Sequence, residues 1–341
     1  MAMPQPDAAE PILQVRDLSK HFQPRAGFRI GGRKPAIKAI DGISFDLRPG
    51  ETLGIVGESG CGKSTAIRTI LRLEEPTAGR TLFRGRNVYD MGPAEMKRLR
   101  RSMQVVFQDP YAAINPRMTV ESIIAEPWDI HPGIVPKGER GDRVRGLLES
   151  VGLRRDHAER YPHQFSGGQL QRIGIARAIA LEPEVLVCDE PVSALDLSVQ
   201  AQVINLLEDI QDRLGIAYIF VAHDLSVVRH VSDRIAVMYL GKIVEIGSER
   251  QVCEAPGHPY TQALLSAEPG IDLDGAGKRE RILLRGEVPS PADPPSGCRF
   301  RTRCWKAQAV CAAEAPALAA RGADPDHLTA CHFPLAPPAA A

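Results

Sequence analysis

Hydrophobic and polar positions alternate along this chain in short blocks that predict strands and helices in a regular order. Residues Ile43–Leu47 place an apolar side chain at every second position, which is the period of a half-buried strand. The apolar run Thr52–Val56 predicts another strand, and a glycine-rich turn then leads to a predicted helix from about Lys63 to Leu73. This order of strand, turn and helix indicates an α/β unit.

The pattern continues through the middle of the chain. From about Asp109 to Ala180 the apolar spacing predicts mostly helices. A buried strand then ends in Cys188-Asp189-Glu190, and a long helix follows with an apolar stripe that runs to Leu214. Further strands are predicted over residues 216–222, 235–240 and 243–246, with a short helix over residues 225–231. This alternation predicts a mainly parallel sheet with helices on both faces.

The sequence changes character at about residue 268. Proline clusters and four cysteines replace the periodic apolar positions, so residues 268–341 are predicted to form a separate appendage. The Ala/Pro-rich tail after Phe333 is expected to be disordered, and residues 1–10 are expected to form a flexible leader. The chain has 341 residues, which corresponds to about two domains.

Charge and composition exclude several classes of protein. Lys+Arg and Asp+Glu are both 42, and this zero net charge argues against a protein that coats nucleic acid, although a local basic patch stays open. No apolar run reaches the ~18 residues that span a bilayer, and the N-terminus lacks the features of a secretory signal. We therefore expect a cytoplasmic protein whose seven cysteines do not form disulfides.

A phosphate-binding loop is predicted between the Thr52–Val56 strand and the following helix. Eight residues fit the pattern G-x-x-x-x-G-K-[ST]: Gly57, Glu58, Ser59, Gly60, Cys61, Gly62, Lys63 and Ser64. Glycines let the backbone point several N–H groups at a phosphate, beside the positive end of a helix. Lys63 should reach the β and γ phosphates, Ser64 should bind Mg²⁺, and Thr65 can add a hydrogen bond. The alternative, a plain turn with a surface lysine, fits the strand–turn–helix context less well.

A pair of acids ends the predicted strand that begins at Val185. Carboxylates at the end of a buried strand need a cation or a reaction to justify their burial. Asp189 fits a residue that holds Mg²⁺ through the water shell of the ion, and Glu190 fits the general base that polarises an attacking water. The alternative is an exposed strand end without function, which the neighbouring phosphate-loop motif disfavours.

The segment Phe165-Ser166-Gly167-Gly168-Gln169-Leu170-Gln171-Arg172 resembles the signature motif of ATP-binding-cassette (ABC) ATPases. The family consensus begins with leucine, and this chain has Phe165 at that place. In the family this segment binds the γ-phosphate of the nucleotide that the partner subunit holds. The resemblance therefore assigns phosphate contacts to Ser166, Gly167, Gly168 and Gln169. Ser166 could equally be a simple helix cap, and both interpretations can hold together.

Other elements of the same family follow in its usual order. Gln108 resembles the Q-loop glutamine that contacts Mg²⁺, and Asp196 closes a D-loop segment, Ser193-Ala194-Leu195-Asp196, that crosses the dimer interface. His223 resembles the switch histidine that touches the γ-phosphate, and Phe22 the aromatic residue that stacks on adenine. The resemblance covers roughly residues 12–265. It implies a P-loop NTPase fold over residues 11–267, with a RecA-like parallel sheet, an antiparallel β subdomain and a helical subdomain at about 109–180.

Three local segments resemble the ATPases of dipeptide and oligopeptide importers. They are Asp109–Val120, His258–Leu265 and Gly286–Phe300, and the Asn115-Pro116-Arg117-Met118 version looks most like the F-type subunit of such systems. The resemblance implies a peripheral ATPase at the cytoplasmic face of the inner membrane. Its implied partners are a related D-type ATPase or a second copy, two integral-membrane permeases and, indirectly, an extracytoplasmic solute-binding protein, without nucleic acid.

The implied function is ATP hydrolysis that drives import of di- or oligopeptides. Nickel and glutathione importers share much of the pattern, so another solute is an alternative. A non-transport ABC ATPase acting on DNA or ribosomes would be expected to carry two cassettes and a basic face, and this chain shows one cassette and no net charge. A soluble nucleotide kinase or GTPase would leave His223 and the segment Ser166–Gln169 without a role.

Four cysteines crowd the last part of the chain with the spacing C-x5-C-x6-C-x19-C, which is not the paired C-x2-C spacing of common zinc sites. A small segment with little apolar content often needs a metal in order to fold. The family resemblance implies a [4Fe–4S] cluster, with zinc or unligated thiols as alternatives. Its implied ligands are Cys298, Cys304, Cys311 and Cys331.

Overall fold

The computed structural model describes residues 10–23, 35–267, 281–321 and 324–336. The expected flexible leader and disordered tail lie, apart from Glu10 and residues 334–336, outside the described residues. The strands are β1 (Leu13–Phe22), β2 (Ile37–Leu47), β3 (Thr52–Val56), β4 (Ala78–Phe83), β5 (Arg86–Asn87), β6 (Met103–Val106), β7 (Val185–Asp189), β8 (Ala217–Val221), β9 (Arg234–Tyr239), β10 (Lys242–Ser248), β11 (Ala319–Arg321) and β12 (Asp324–Thr329).

The helices are α1 (Lys63–Ile70), α2 (Pro93–Ser102), α3 (Pro110–Ala113), α4 (Val120–Ile130), α5 (Arg140–Ser150), α6 (Gly167–Ile179), α7 (Leu197–Leu214), α8 (Leu225–Val231), α9 (Glu249–Glu254), α10 (Pro259–Ala267) and α11 (Ala309–Ala313). The chain divides into two compact units. Of the described residues, the first unit contains residues 10, 48–51 and 90–221, and the second contains residues 11–23, 35–47, 52–89, 222–267, 281–321 and 324–336.

The first unit is built on three parallel strands in the order β6-β7-β8. All five residues of β7 are buried, as expected for a parallel strand that is covered on both faces. Helices α3, α4, α5 and α6 form the region that the sequence predicted to be mostly helical. The fully buried Trp128 of α4 donates a hydrogen bond from Nε1 to the carbonyl oxygen of Ala180, at 2.9 Å, and so joins α4 to the end of α6.

Helix α7 confirms the predicted apolar stripe over most of its length. Val203, Leu206, Leu207 and Ile210 are all buried. Leu214, the last position of the stripe, is 40% exposed because the helix ends there, at a Gly215 with φ of +63°.

The second unit contains two sets of strands. One is an antiparallel sheet in the order β2-β1-β4-β5, which agrees with the expected antiparallel β subdomain. In the other, β3 pairs parallel with β9, and β9, β10, β12 and β11 follow in antiparallel order. Strands β11 and β12 were not predicted, because the sequence of β12 alternates too weakly: its only large apolar residue is Leu328. The pairing of β12 with β10 makes the C-terminal region a part of this unit.

A buried cluster of rings joins the C-terminal region to the rest of the second unit. Phe300 is 1% exposed, and its ring centroid lies 5.2 Å from that of Tyr239, 5.4 Å from that of Tyr260 and 5.6 Å from that of His258. Aromatic pairs at such distances add to the stability that their burial provides. The cluster therefore fixes the position of the turn that carries Phe300.

Burial of His258 makes the stability of this unit depend on pH. Burial lowers the pKa of His258 to about 4, from the 6.5 of an accessible imidazole. The unfolded chain binds a proton at His258 more readily than the folded chain does. The contribution of neutral His258 to the unfolding free energy is therefore fully present above pH 6.5 and is lost as the pH falls towards 4. The shift corresponds to roughly 3 kcal/mol of unfolding free energy in total.

We expect the variant His258→Asn to show a flatter dependence of unfolding free energy on pH between 7 and 4.5. The asparagine oxygen can still accept the Tyr260 N–H, which the His258 Nδ1 accepts at 3.0 Å, but it does not titrate. Urea unfolding at several pH values measures the slope. Equal slopes in the two proteins would show that His258 is not the titrating group.

Candidate functional site

The loop between β3 and α1 has the geometry that the phosphate-binding motif predicts. Gly60 and Gly62 have φ values of +79° and +111°, which residues with a side chain rarely adopt. A Cβ atom at Gly62 would also lie 2.2 Å from the carbonyl oxygen of Ala39. Gly62 is the N-cap of α1 and provides no side-chain cap, so the first N–H groups of the helix are not used by a capping side chain. Such a loop can bind an anion.

Lys63 lies against the loop that precedes it. Its side chain is buried, and Nζ donates hydrogen bonds to the carbonyl oxygens of Gly57, at 2.7 Å, and Glu58, at 3.4 Å. The neighbouring residues Ser64 and Thr65 form the first turn of α1 and are half-buried. The ammonium group is therefore held at the concave loop, where it can neutralise phosphate charge.

The acidic residues of the first unit lie at the carboxyl end of β7. Asp189, the last residue of the strand, is 6% exposed. Glu190 follows with φ of +49°, a left-handed conformation that costs a non-glycine residue about 1 kcal/mol. The backbone N–H of Glu190 donates to the carbonyl oxygen of Val221, at 2.9 Å, which helps to hold this conformation. Strain of this kind is often found at functional sites.

The side chain of Gln108 contacts Glu190 directly. Its Nε2 donates to Oε2 of Glu190, at 2.9 Å, and to Oγ of Ser193, at 3.3 Å. The Ser193 hydroxyl in turn donates to the carbonyl oxygen of Glu190, at 3.1 Å. The structure thus brings the predicted Q-loop glutamine and the predicted general base together. Ser193 joins them, although sequence reasoning gave it no role beyond membership of the D-loop segment.

The segment Ser166–Gln169 begins helix α6. Ser166 is the N-cap, and its Oγ accepts the N–H of Gln169 at 3.4 Å while the Gln169 side chain accepts the N–H of Ser166 at 3.1 Å. The helix-cap interpretation of Ser166 is therefore confirmed. Ser166 remains exposed to solvent, and Gly168 packs so closely on Val199 that a Cβ atom would lie 2.4 Å from it. A phosphate contact from this exposed cap stays a prediction.

The remaining site residues predicted from the sequence lie at the ends of elements. His223 is exposed, two residues after β8, and Asp196 is the exposed N-cap residue of α7. Phe22 ends β1, and the Nζ of Lys20 lies 4.9 Å from the centroid of its ring. Phe22, the phosphate-binding loop and His223 belong to the second unit, while Gln108, Ser166–Gln169 and the acidic residues belong to the first.

The four late cysteines lie in one part of the second unit, and three of them are half-buried while Cys311 is buried. Burial raises the pKa of Cys331 to about 11, and the nearby thiols of Cys298 and Cys304 act in the same direction. The N–H of Cys298 donates to the carbonyl oxygen of Cys311, at 2.8 Å. Across the residues that the structure describes, no three His, Cys, Asp or Glu side chains converge in a way that would hold a metal ion.

Sequence reasoning missed two residues that contact the phosphate-binding loop, Tyr260 of α10 and Arg303 of the C-terminal region. The hydroxyl of Tyr260 accepts the backbone N–H of Glu58, at 2.9 Å, and Arg303 forms two bonds to the Glu58 carboxylate. The only signal in the sequence for these contacts is Glu58 itself, an acidic residue inside an anion-binding motif, whose charge needs a cation to offset it.

A search of the described residues for membrane-spanning helices finds no candidate.

Comparisons with known proteins show similarity over most of the chain. A family profile described as "ABC transporter" matches residues 40–193, and one described as "Oligopeptide/dipeptide transporter, C-terminal region" matches residues 244–311. The oligopeptide transport ATP-binding protein AppF of Bacillus subtilis is 52% identical over 328 residues, which cover 95% of this chain and 98% of AppF. The dipeptide transport ATP-binding protein DppF of Haemophilus influenzae is 50% identical over 309 residues, covering 90% and 93% of the two chains.

Solved structures with a similar fold are cassettes of the same kind. The ATP-binding cassette MJ0796, in a dimer bound to ADP and phosphate, superposes with a TM-score of 0.61 at 28% identity and covers 70% of this chain and 99% of its own. The cbiO1 protein of Clostridium perfringens, part of an ABC transporter complex, gives a TM-score of 0.59 at 28% identity and covers 71% and 90% of the two chains.

Proposed function

Because this chain belongs to the family of oligopeptide and dipeptide ABC transporter ATP-binding proteins, we propose that it hydrolyses ATP to drive the import of di- or oligopeptides. The observation that carries this proposal is the glycine-rich loop between β3 and α1, with Lys63 held against it. ATP binding and hydrolysis follow from family membership. The nature of the solute is supported by the relatives, which are named for oligopeptide and dipeptide transport.

We propose the following roles for the residues that contact ATP. Lys63 neutralises charge on the β and γ phosphates, and backbone N–H groups of the loop hold the β-phosphate. Phe22 stacks on adenine and His223 contacts the γ-phosphate. The donors suited to Mg²⁺ are oxygen atoms, and those proposed here are Ser64, Gln108 and Asp189. Mg²⁺ when bound offsets the charge that develops on the phosphates during transfer.

Glu190 is the proposed general base. Its carboxylate accepts a proton from the water that attacks the γ-phosphate, while the hydrogen bond from Gln108 and the fixed backbone hold it in position. No covalent enzyme intermediate is needed, since positioning and charge stabilisation account for phosphoryl transfer. Ser193 is a positioning residue in this account, because it contacts both Gln108 and Glu190.

We propose that the chain works as a dimer, with a related D-type ATPase or a second copy. Ser166, Gly167, Gly168 and Gln169 would bind the γ-phosphate held by the partner, and Asp196 would lie at the dimer interface. ATP has the γ-phosphate that makes this contact and ADP does not. The closed dimer therefore binds ATP more tightly than ADP, and this difference in affinity shifts the equilibrium between open and closed dimers. The exposed helix cap of α6 supports the proposal, because a helix start binds anions.

The variant Ser166→Asp should separate the two roles of Ser166. Aspartate is as good an N-cap as serine, so we expect the thermal stability of the chain to change by less than about 1 kcal/mol. ATPase activity of the dimer should nevertheless fall at least about tenfold, because a carboxylate would face the partner's γ-phosphate. Thermal unfolding and steady-state hydrolysis measure the two effects. Full activity in a stable Ser166→Asp protein would limit Ser166 to capping.

Closure of the dimer is proposed to move two integral-membrane permeases, with a solute-binding protein delivering peptide from outside. The chain would then lie as a peripheral subunit on the cytoplasmic face of the inner membrane. Purification from solubilised membranes tests the membrane partners: permeases should accompany the chain, and their consistent absence would refute the transporter role.

We also propose a division of the chain into domains. Residues 11–267 form the ATP-binding domain, with its helical subdomain at about 109–180, and residues 268–341 form the importer-type extension.

We further propose that Cys298, Cys304, Cys311 and Cys331 bind a [4Fe–4S] cluster. Support comes from four free cysteines in the C-terminal region, where the N–H of Cys298 bonds to the carbonyl oxygen of Cys311, because four thiols are a donor set that suits iron–sulfur chemistry. Protein purified without oxygen should be brown and contain iron and sulfide. Zinc, or no metal, in such a preparation would refute the cluster.

A further inference from the structure

Glu58, inside the phosphate-binding loop, is clamped by an arginine from the C-terminal region. Nη1 of Arg303 lies 2.8 Å from Oε2 of Glu58, and Nη2 lies 3.1 Å from Oε1. The Arg303 side chain is 9% exposed and that of Glu58 is 26% exposed. Two parallel bonds between a guanidinium and a carboxylate fix both position and orientation, and partial burial strengthens them.

The turn that carries Arg303 is itself firmly held. The backbone N–H of Arg303 donates to the carbonyl oxygen of Phe300, at 2.9 Å, and Phe300 packs in the buried ring cluster. The guanidinium carbon of Arg303 also lies 6.0 Å from the centroid of the Tyr239 ring. Arg303 is thus presented to the loop by a rigid support.

The main chain of Glu58 is held from the same side. Its N–H donates to the hydroxyl of Tyr260, at 2.9 Å, and Tyr260 is completely buried. The carbonyl oxygen of Glu58 accepts a bond from the N–H of Cys61, at 3.2 Å. Glu58, the second residue of the loop, is therefore fixed through both its backbone and its side chain.

We propose that Arg303 is a positioning residue for ATP binding, which rests on the proposed ATPase function. A carboxylate inside a loop that must receive a triphosphate opposes binding through charge repulsion. Arg303 offsets that charge, because a guanidinium is always protonated, and holds Glu58 in a fixed orientation. The C-terminal extension, which carries Arg303, is consequently required for high ATP affinity in this chain.

The variant Arg303→Ala should raise the dissociation constant for ATP about tenfold, as expected for loss of one well-formed charged pair. KM for ATP should rise in proportion, while kcat at saturating ATP should change much less. Arg301→Ala is the matched control, because Arg301 lies in the same turn but bonds to Ser296 within the extension. Binding of a fluorescent ATP analogue to the full-length proteins measures the difference.

Introducing Arg303→Ala into a Glu58→Gln variant tests whether Arg303 acts by offsetting the Glu58 charge or only by supporting the structure of the loop. In the variant Glu58→Gln the repelling charge is absent, so adding Arg303→Ala should change ATP affinity by less than about twofold. Arg303→Lys, which keeps the charge but not the paired geometry, should give an intermediate affinity and covers the case in which Arg303→Ala does not fold.

Two results would overturn the inference. One is wild-type ATP affinity in Arg303→Ala and Arg303→Lys. The other is an equal loss of affinity when Arg303→Ala is introduced into the wild-type chain and into the Glu58→Gln variant. Neither result would affect the proposed function, because the wild-type chain would still bind ATP. Failure of the wild-type chain itself to bind ATP would instead refute the proposed function.

Discussion

Replacement of Glu190 by glutamine is expected to lower the rate of ATP hydrolysis at least about 100-fold, the usual contribution of a general base. The amide keeps the shape of the side chain but cannot accept the proton of the attacking water. ATP binding should persist, because Glu190 is not among the groups proposed to hold the phosphates. Single-turnover hydrolysis and equilibrium binding of ATP, measured on the same preparation, test both halves of this expectation.

Glu182→Gln is a matched control for that experiment. Glu182 lies in the same unit, is also a glutamate with positive φ, at +49°, and forms an exposed ion pair with Arg143. Its replacement should leave hydrolysis within about twofold of wild type, since exposed ion pairs contribute little. Near-normal hydrolysis in Glu190→Gln would remove Glu190 from the reaction, and an equal loss in Glu182→Gln would point to a general structural effect.

Replacement of Lys63 by alanine is expected to weaken ATP binding about 100-fold, or ~3 kcal/mol, because charged hydrogen bonds to the β and γ phosphates disappear. The buried ammonium now bonds to Gly57 and Glu58, so the variant also loses contacts that shape the loop. Isothermal titration with ATP measures the affinity, and thermal unfolding shows whether the fold persists.

Lys97→Ala is the control for Lys63→Ala, because Lys97 is an exposed residue of α2 outside the predicted site. Its ATP affinity should match that of the wild-type chain. If Lys63→Ala retains wild-type affinity while Lys97→Ala behaves normally, the glycine-rich loop is not the phosphate site.

The elements around the proposed site could be predicted because local physics determines them. Strand β3 is apolar at every position except Thr52, and the glycines after it adopt backbone angles that other residues resist. Ser166 is followed by Gln169 three positions later, which is the sequence of a capping box, and the structure has that box. In each case the residues that determine the local structure are close neighbours in the chain.

The missed features depend on contacts between residues far apart in the chain. Arg303 is separated from Glu58 by 245 positions, and nothing in the residues around Arg303 indicates which carboxylate it meets. Strand β12 was missed for a related reason, since its polar residues show no strand period and its pairing with β10 decides its conformation. The contact of Ser193 with Gln108 likewise depends on where the ends of β6 and β7 meet.

Uptake of labelled peptide into vesicles that contain the complete transporter tests the central claim most directly. Complexes assembled with the wild-type chain should accumulate peptide when ATP is supplied at the face that carries this subunit, and the Glu190→Gln complex should accumulate almost none. Equal uptake by the two complexes, or ATP hydrolysis by the wild-type complex without any peptide uptake, would contradict the account.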